Sequence, residues 1–209
     1  MKLLVFGPTG GTGRQLVEQA LAQGHVVTAF ARNPAKLDIE HENLHVVQGD
    51  VLDSAAVEAA IQGQEVVLCA LGAPASDKST VRANGTKTII DAMEKVGVRR
   101  FICQASLGYG DSRELLPFHM KYIIVPLILR HTFADHESQE AYIKQSQLDW
   151  IIVRPANLTD GPRIGTYQHG TLKIDKKIKL KVSRADVADF MLKQLADDTY
   201  LHKTPGLSY

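Results

Sequence analysis

The chain has 209 residues, 44% of them hydrophobic and 22% charged, enough to bury a proper core in a single α/β domain. Twenty-four Lys and Arg against 23 Asp and Glu leave a formal net charge of +1, which excludes the basic excess of a protein built mainly to hold nucleic acid. The longest apolar stretch, "YIIVPLIL" at 122–129, contains Pro126 and falls far short of the ~18–20 residues of a membrane span, so a soluble, cytoplasmic protein is expected.

In chain order, "MKLLVFG" has too short an apolar run for a secretory signal and reads as a first strand. A helix follows over "GRQLVEQALAQ", with Gly24 as its stop. The runs "HVVTAFA", "LHVVQG", "EVVLCAL", "RRFICQAS" and "WIIVRP" then read as five further strands. Continuous apolar runs separated by helical patterns belong to a parallel sheet covered on both faces, so the predicted architecture is a single doubly wound α/β sheet. Cys69 and Cys103 lie inside two of these runs and read as buried thiols. Between those two strands, residues 80–97 place Val81, Ile89, Met93 and Val96 along one face of a crossover helix ending at Gly97.

Beyond Pro155 the pattern changes. "NLTDGPRIG" is a turn-rich loop, and "TYQHG" to "LKID" reads as a hairpin. "KIKLKVS" alternates basic and apolar residues, a pattern that suits either attraction of an anionic substrate or protection of an edge strand. A last helix begins near "SRADVADFMLKQL", with Ser183 as N-cap and Asp186 at its third position. Residues 1–209 thus form one expected domain, with substrate-side elements mainly from 107–135 and 155–182.

The sharpest motif is "VFGPTGGTGR" at 5–14. Gly7, Gly10 and Gly13 fall between a predicted strand and a predicted helix, the context of a dinucleotide-binding turn. The first glycine allows the tight turn, the second lets the backbone approach a pyrophosphate, and the third lets the helix pack closely on the sheet. The helix then presents its unpaired N–H groups to the phosphates, with Gly11 in the same loop and Thr9 and Thr12 adding hydroxyl donors. A cofactor with a free ribose 2′-hydroxyl is held by an acid at the end of the second strand. Here that place reads "AFARNPAK", with Arg32 and no acid. An arginine clasps a 2′-phosphate by charge-assisted hydrogen bonds, so NADPH/NADP+ is expected rather than NADH.

With "GPTGGTGR", "ARNP", "GDVLD", "ALGA" and "LDWIIVRPA" in order, the chain resembles the atypical short-chain dehydrogenases/reductases. More narrowly, it resembles the biliverdin reductase B/flavin reductase group and its bacterial NmrA-like relatives, all of the Rossmann fold. The resemblance implies that Asp50 and Val51 lie beside the adenine and that Leu71, Gly72 and Ala73 border the ribose. It further implies that Ala105 and Ser106 face the nicotinamide and that Pro155, Ala156 and Asn157 close that side. Asp50 has a second reading, as the cap of a helix starting near Ser54, and Gly72 as a turn.

The Tyr-x-x-x-Lys pair of the classical superfamily members is missing. Four residues after Tyr109, Tyr122, Tyr142, Tyr167 and Tyr200 come Arg113, Pro126, Ser146, Thr171 and Thr204. A ketone reductase without that acid forgoes a factor of roughly 10²–10⁴. An acceptor that takes a hydride unaided is favoured, such as a flavin or a linear tetrapyrrole like biliverdin, with the protein serving mainly to juxtapose the reactants. Ser106 is the candidate catalytic residue, an orienting hydroxyl and not a nucleophile. Ser106, Tyr109, Phe118 and Asn157 are the candidate acceptor-binding residues, with His119 and Tyr122 beside Phe118 in an apolar run that equally suits a helix contact or an oligomer surface. His131, Asp135, His136 and Glu137 lack metal-ligand spacing, and no metal is expected; the resemblance implies a structural or pocket-rim role for Asp135 and His136. The expected partners are a small-molecule acceptor, no nucleic acid and no membrane, with a monomer or weak homo-oligomer. The competing reading is an NADP(H)-sensing regulatory protein with little or no turnover.

Overall fold

The computed structural model describes residues 1–74, 78–172 and 178–209. All six predicted strands form: β1 (Lys2–Phe6), β2 (Val26–Ala31), β3 (Leu44–Gln48), β4 (Val66–Cys69), β5 (Arg100–Gln104) and β6 (Asp149–Pro155). They pair in parallel in the order β3-β2-β1-β4-β5-β6. A C-terminal strand, β10 (Gly206–Ser208), adds in parallel to β6, and β8 (Gln168–Gly170) closes the edge antiparallel to β10. A separate short ribbon joins β7 (Asn157–Thr159) to β9 (Lys181–Ser183).

Strand alternation sends successive side chains to opposite faces, and both faces are covered. Leu3 and Val5 of β1 pack with Leu16, Val17 and Ala20 of α1 (Gly11–Ala22) and with Val187, Phe190 and Met191 of α5 (Arg184–Lys193). Leu4 and Phe6 pack on the other side with Val57 and Ile61 of α2 (Ser54–Ile61), Ile89 and Met93 of α3 (Val81–Val96), and Ile143 of α4 (Arg130–Gln145). The sheet thus lies between two helical layers, and the chain reverses its winding between β1 and β4. In such sheets the crevice beyond the strands' carboxyl ends at that reversal is the place for a ligand.

The helix ends follow local rules. Gly24 and Gly97 take left-handed conformations after α1 and α3, and Ser183 Oγ accepts from the Asp186 N–H at the start of α5. Asp53, not Asp50, caps α2, because its Oδ1 lies 3.0 and 3.2 Å from the N–H groups of Ala55 and Ala56.

Two predicted elements lie partly outside the described residues. Of the hairpin expected from "TYQHG" to "LKID", residues 173–175 of the second arm are outside them, and Gln168–Gly170 of the first arm pairs antiparallel with Gly206–Ser208. A three-residue strand reaches a β-partner from elsewhere in the chain as readily as a neighbour, and local turn chemistry does not select between them. The lysine-rich segment contributes only Lys181–Ser183 to a strand, held by β7, and Lys177 is likewise outside the described residues.

The apolar run after Pro117 forms a wide-turned π-helical segment, Met120–Leu129, that runs directly into α4. Pro126 lacks the N–H of a regular helix, and the wider turn accommodates its ring. No residue of this segment is buried, and Tyr122, Ile123, Leu127 and Ile128 are exposed, so it does not form the core of a helix pair. Among the described residues no helix is long and apolar enough to cross a membrane.

Candidate functional site

A cleft of about 1110 Å³ runs along the carboxyl ends of the strands. Its floor is the loop between β1 and α1. Gly7 has φ +79°, and a Cβ there would lie 2.5 Å from the Ala70 carbonyl oxygen on β4's exit, so the tight turn requires glycine. A Cβ on Gly13 would lie 2.0 Å from the Gly7 carbonyl oxygen. Gly13 therefore serves the close contact of helix and strand, the role expected of the third glycine, and is not among the residues that line the cleft.

Gly10 is different. Among the described residues beyond its chain neighbours, a Cβ there would meet only the Gly7 carbonyl oxygen, at 3.4 Å, and Gly10 lines the cleft. Gly10 caps α1 without a side-chain hydrogen bond, and no acid sits in the first turn. The N–H groups of α1 therefore face the cleft with their partial positive charge uncompensated, as an anionic group requires. Thr9, Gly11 and Thr12 line the same stretch.

The rim at β2 carries Arg32, exposed, with Lys36 nearby on the cleft wall. Among the described residues the Arg32 guanidinium has no carboxylate partner, whereas most other arginines here are ion-paired. Val51 lines the wall beyond β3, with Leu71, Gly72 and Ala73 after β4. Asp50 is exposed and outside this lining; its Oδ1 accepts the Leu52 N–H at 2.9 Å, a local turn contact. A Cβ on Gly72 would meet no described atom within 4 Å and its φ is not left-handed, so no contact among the described residues and no left-handed turn demands the glycine.

Ala105, Ser106, Pro155, Ala156 and Asn157 line the far end, held by the Ala105 N–H to the Val153 carbonyl and the Leu107 N–H to the Pro155 carbonyl. Ser106 is half-buried, and its hydroxyl donates to the Leu107 carbonyl at 3.2 Å. The roof is apolar, from Leu116, Pro117, Met120, Leu129 and Phe133.

Two expected acceptor contacts are corrected. Tyr109 is buried beneath the site and does not line it. Its hydroxyl donates to Glu140 Oε1 at 2.6 Å, and its ring stacks on His136 and lies under the Arg154 guanidinium. Burial and the Glu140 carboxylate hold that phenol far above its usual range. Phe118 is 74% exposed and turned onto Tyr122, away from the lining. Tyr109 is aimed by packing against α4 and Phe118 by its contact with Tyr122, which local pattern does not encode.

Further residues reach the cleft or its rim, some of which, such as Arg184 and Thr132, carry no signal in the sequence. Arg184, at the start of α5, lies across Gly11, with its Cδ 2.5 Å from where a Cβ would stand. Arg82 donates to the Ala73 carbonyl and pairs with Asp135, whose carboxylate also accepts the N–H groups of Arg82 and Ala83 and so caps α3 from α4. Asp135 is thereby structural. Thr132, Phe133 and His136 face the cleft from α4. Burial and the Arg82 charge lower the His136 imidazole to about 4, so it is neutral at physiological pH.

The model of the family described as NAD(P)H-binding matches residues 7–198. The chain is 31% identical over 173 residues to an uncharacterized chloroplastic protein of Arabidopsis thaliana, covering 78% of this chain and 61% of that one. It is 29% identical over 171 residues to the photosystem II assembly factor Ycf39 of Synechocystis, covering 80% of this chain and 48% of that one. This chain therefore spans 61% and 48% of the length of these two curated relatives, less than two thirds of either. Among solved structures, ChuY, an anaerobilin reductase from Escherichia coli O157:H7, superposes with a TM-score of 0.81 at 27% identity, covering 99% of this chain and 96% of that one. An open glycine cradle at a helix N-terminus, set at the reversal point of a 3-2-1-4-5-6 sheet and matched by that model over most of its length, makes this chain a member of the NAD(P)H-binding family of Rossmann-fold proteins.

Proposed function

We propose that the protein is an NADPH-dependent reductase that passes a hydride to a flavin or a similar flat, conjugated acceptor. The observation that carries this reading is one continuous cleft with a phosphate cradle at one end and, at the other, an apolar roof over Ser106 with no Tyr-Lys pair. The bound cofactor supplies the hydride, and the acceptor takes that hydride together with one proton from solvent. The chain's own residues position the two. Gly10 and the α1 N–H groups hold the pyrophosphate, Arg32 holds the 2′-phosphate, Ser106 orients the reacting end, and Leu116, Met120 and Phe133 shield a flat ring from water. The likeness to ChuY over nearly all of both chains supports a reductase.

The test is NADPH oxidation followed by absorbance with FMN, FAD, riboflavin or biliverdin, repeated with NADH. Turnover with a clear NADPH preference is expected. Tight NADPH binding without turnover on any acceptor would overturn the reductase reading in favour of a sensor of the NADP(H) pool. Arg32→Ala is expected to raise the KM for NADPH roughly 10–100-fold, the worth of charge-assisted contacts to a phosphate, and to leave that for NADH within about twofold. Equal changes for both cofactors would remove Arg32 from the 2′-phosphate site. Ser106→Ala should lower kcat about tenfold or more with NADPH affinity unchanged; an unaltered kcat would take it out of the reacting end.

A further inference from the structure

α1 and α5 begin side by side at the floor of the cleft. Leu16, Val17 and Ala20 of α1 share one apolar cluster with Val187, Phe190 and Met191 of α5, and Gln19 Nε2 donates to the Ala185 carbonyl at 2.9 Å. The first residue of α5, Arg184, lies across the first residue of α1, Gly11. Where a Cβ on Gly11 would stand, the arginine's Cδ is 2.5 Å away, its Nε 2.9 Å and its Cζ 3.7 Å. The missing Cβ is the room that the arginine occupies, and the guanidinium is thereby set against the opening turn of α1. Both residues line the cleft.

The backbone that carries Arg184 is fixed. Ser183 caps α5, and the buried Asp186 carboxylate accepts the N–H groups of Ile164 and Gly165, at 2.9 and 2.8 Å, and the Tyr209 hydroxyl. That acid is occupied by donors of the protein itself. The guanidinium is held differently, by an ion pair with Asp160 in which the two side chains are 29% and 88% exposed. A pair with one partner almost wholly in water contributes little to stability, so the arginine leaves it at small cost. A phosphate at the start of α1 offers more, because the helix N–H groups already hold it there and the arginine adds charge-assisted hydrogen bonds.

We propose that Arg184 clamps the pyrophosphate of the cofactor, its guanidinium exchanging the Asp160 carboxylate for a phosphate oxygen over Gly11. The cofactor's charges are then divided between two arginines. Arg32 reads the 2′-phosphate and separates NADPH from NADH; Arg184 holds the part that both cofactors share and does not discriminate. Asp160 competes with the cofactor for the guanidinium, so removing its charge strengthens binding. This rests on the cofactor end of the proposed site and is independent of the acceptor.

The test is a set of dissociation constants: NADPH and NADH by fluorescence titration, and 2′-AMP, which has the 2′-phosphate but no pyrophosphate, by competition against NADPH. Arg184→Gln keeps most of the stem over Gly11 and is expected to weaken NADPH and NADH alike by about tenfold or more, with 2′-AMP within about twofold of wild type. Arg184→Lys should recover part of the loss, since a point charge remains without the planar fork. Arg32→Ala should give the opposite pattern, weakening NADPH and 2′-AMP and sparing NADH. Asp160→Asn should tighten both dinucleotides about twofold to fivefold, and this exposed position keeps the proposal testable should Arg184→Gln fail to fold. Dinucleotide binding by Arg184→Gln within twofold of wild type would overturn the clamp. Equal weakening of all three ligands by Arg184→Gln, or weakening of the dinucleotides by Asp160→Asn, would assign the arginine to holding the 160–165 loop and overturn the clamp as well. Because every readout is a binding constant, absence of turnover bears on the reductase reading alone, whereas wild-type protein that binds neither dinucleotide would overturn the cofactor site and the clamp with it.

Discussion

Replacing Gly13 by alanine is expected to destabilise the fold by about 3 kcal/mol and to abolish NADPH binding. The added Cβ would stand 2.0 Å from the Gly7 carbonyl oxygen, 2.7 Å from its carbon and 2.9 Å from Pro8 Cα. All three are backbone atoms, so no rotamer change relieves the clash and the loop must part from α1. That helix cannot retreat, because Leu16, Val17 and Ala20 are fully buried against the sheet. Gly10 supplies the contrast. Its nearest obstacle is at 3.4 Å, so Gly10→Val should unfold at nearly the wild-type urea midpoint yet lose NADPH affinity by about 100-fold or more, its branched side chain filling the phosphate cradle. Urea titration followed by circular dichroism, with fluorescence titration of NADPH, separates the two effects. A Gly13→Ala midpoint equal to wild type would refute the steric account, and cofactor binding by Gly10→Val at wild-type strength would reduce the loop to a turn.

Glu140→Ala is expected to cost about 3–5 kcal/mol. The Glu140 carboxylate receives Arg154 Nε and Nη2, each at 2.7 Å, the Tyr109 hydroxyl at 2.6 Å and Lys144 Nζ at 2.8 Å. The Glu140 and Arg154 side chains are 4% and 5% exposed. Truncation strands a buried guanidinium, left with only exposed Asp111, and an unpaired phenol. For a domain of this size the loss corresponds to a fall in Tm of roughly 6–20 °C, readable by calorimetry; a fall below about 2 °C would show that the pair is not a structural clamp.

The same cluster sets a pH dependence. Burial alone would raise the Glu140 pKa, but the hydrogen bonds from Arg154, Lys144 and Tyr109 outweigh it and leave the carboxyl below its usual value. A depressed folded value means that the unfolded chain takes up the proton first as pH falls. This contribution is therefore complete above about pH 4.3 and is lost below it. His136 acts in a higher window. Its folded value of about 4, against 6.5 unfolded, removes stability as pH falls from about 6.5 toward 4. Stability measured against pH should be flatter in the lower window for Glu140→Gln and in the upper one for His136→Phe. Curves parallel to wild type would exclude both groups as the titrating ones.

The six strands, the crossover helices, the glycine cradle and the arginine at the rim were legible in the sequence because each is governed by neighbours in the chain. An apolar run, a residue without Cβ between strand and helix, or a missing acid at a strand end is complete within about ten residues. The short C-terminal strands were not legible, since Gly206–Ser208 has only three residues with which to choose between β6, β8 or any other edge. Nor were the orientations of Tyr109 and Phe118, one drawn inward by Glu140 and the other left on the surface by a wide-turned helix. Thr132 and Arg184 reach the cleft only because α4 and α5 pack where they do. The sequence determined the fold and the cofactor end, where the forces are local; tertiary packing decided the acceptor end, where each side chain's direction depends on residues far away in the chain.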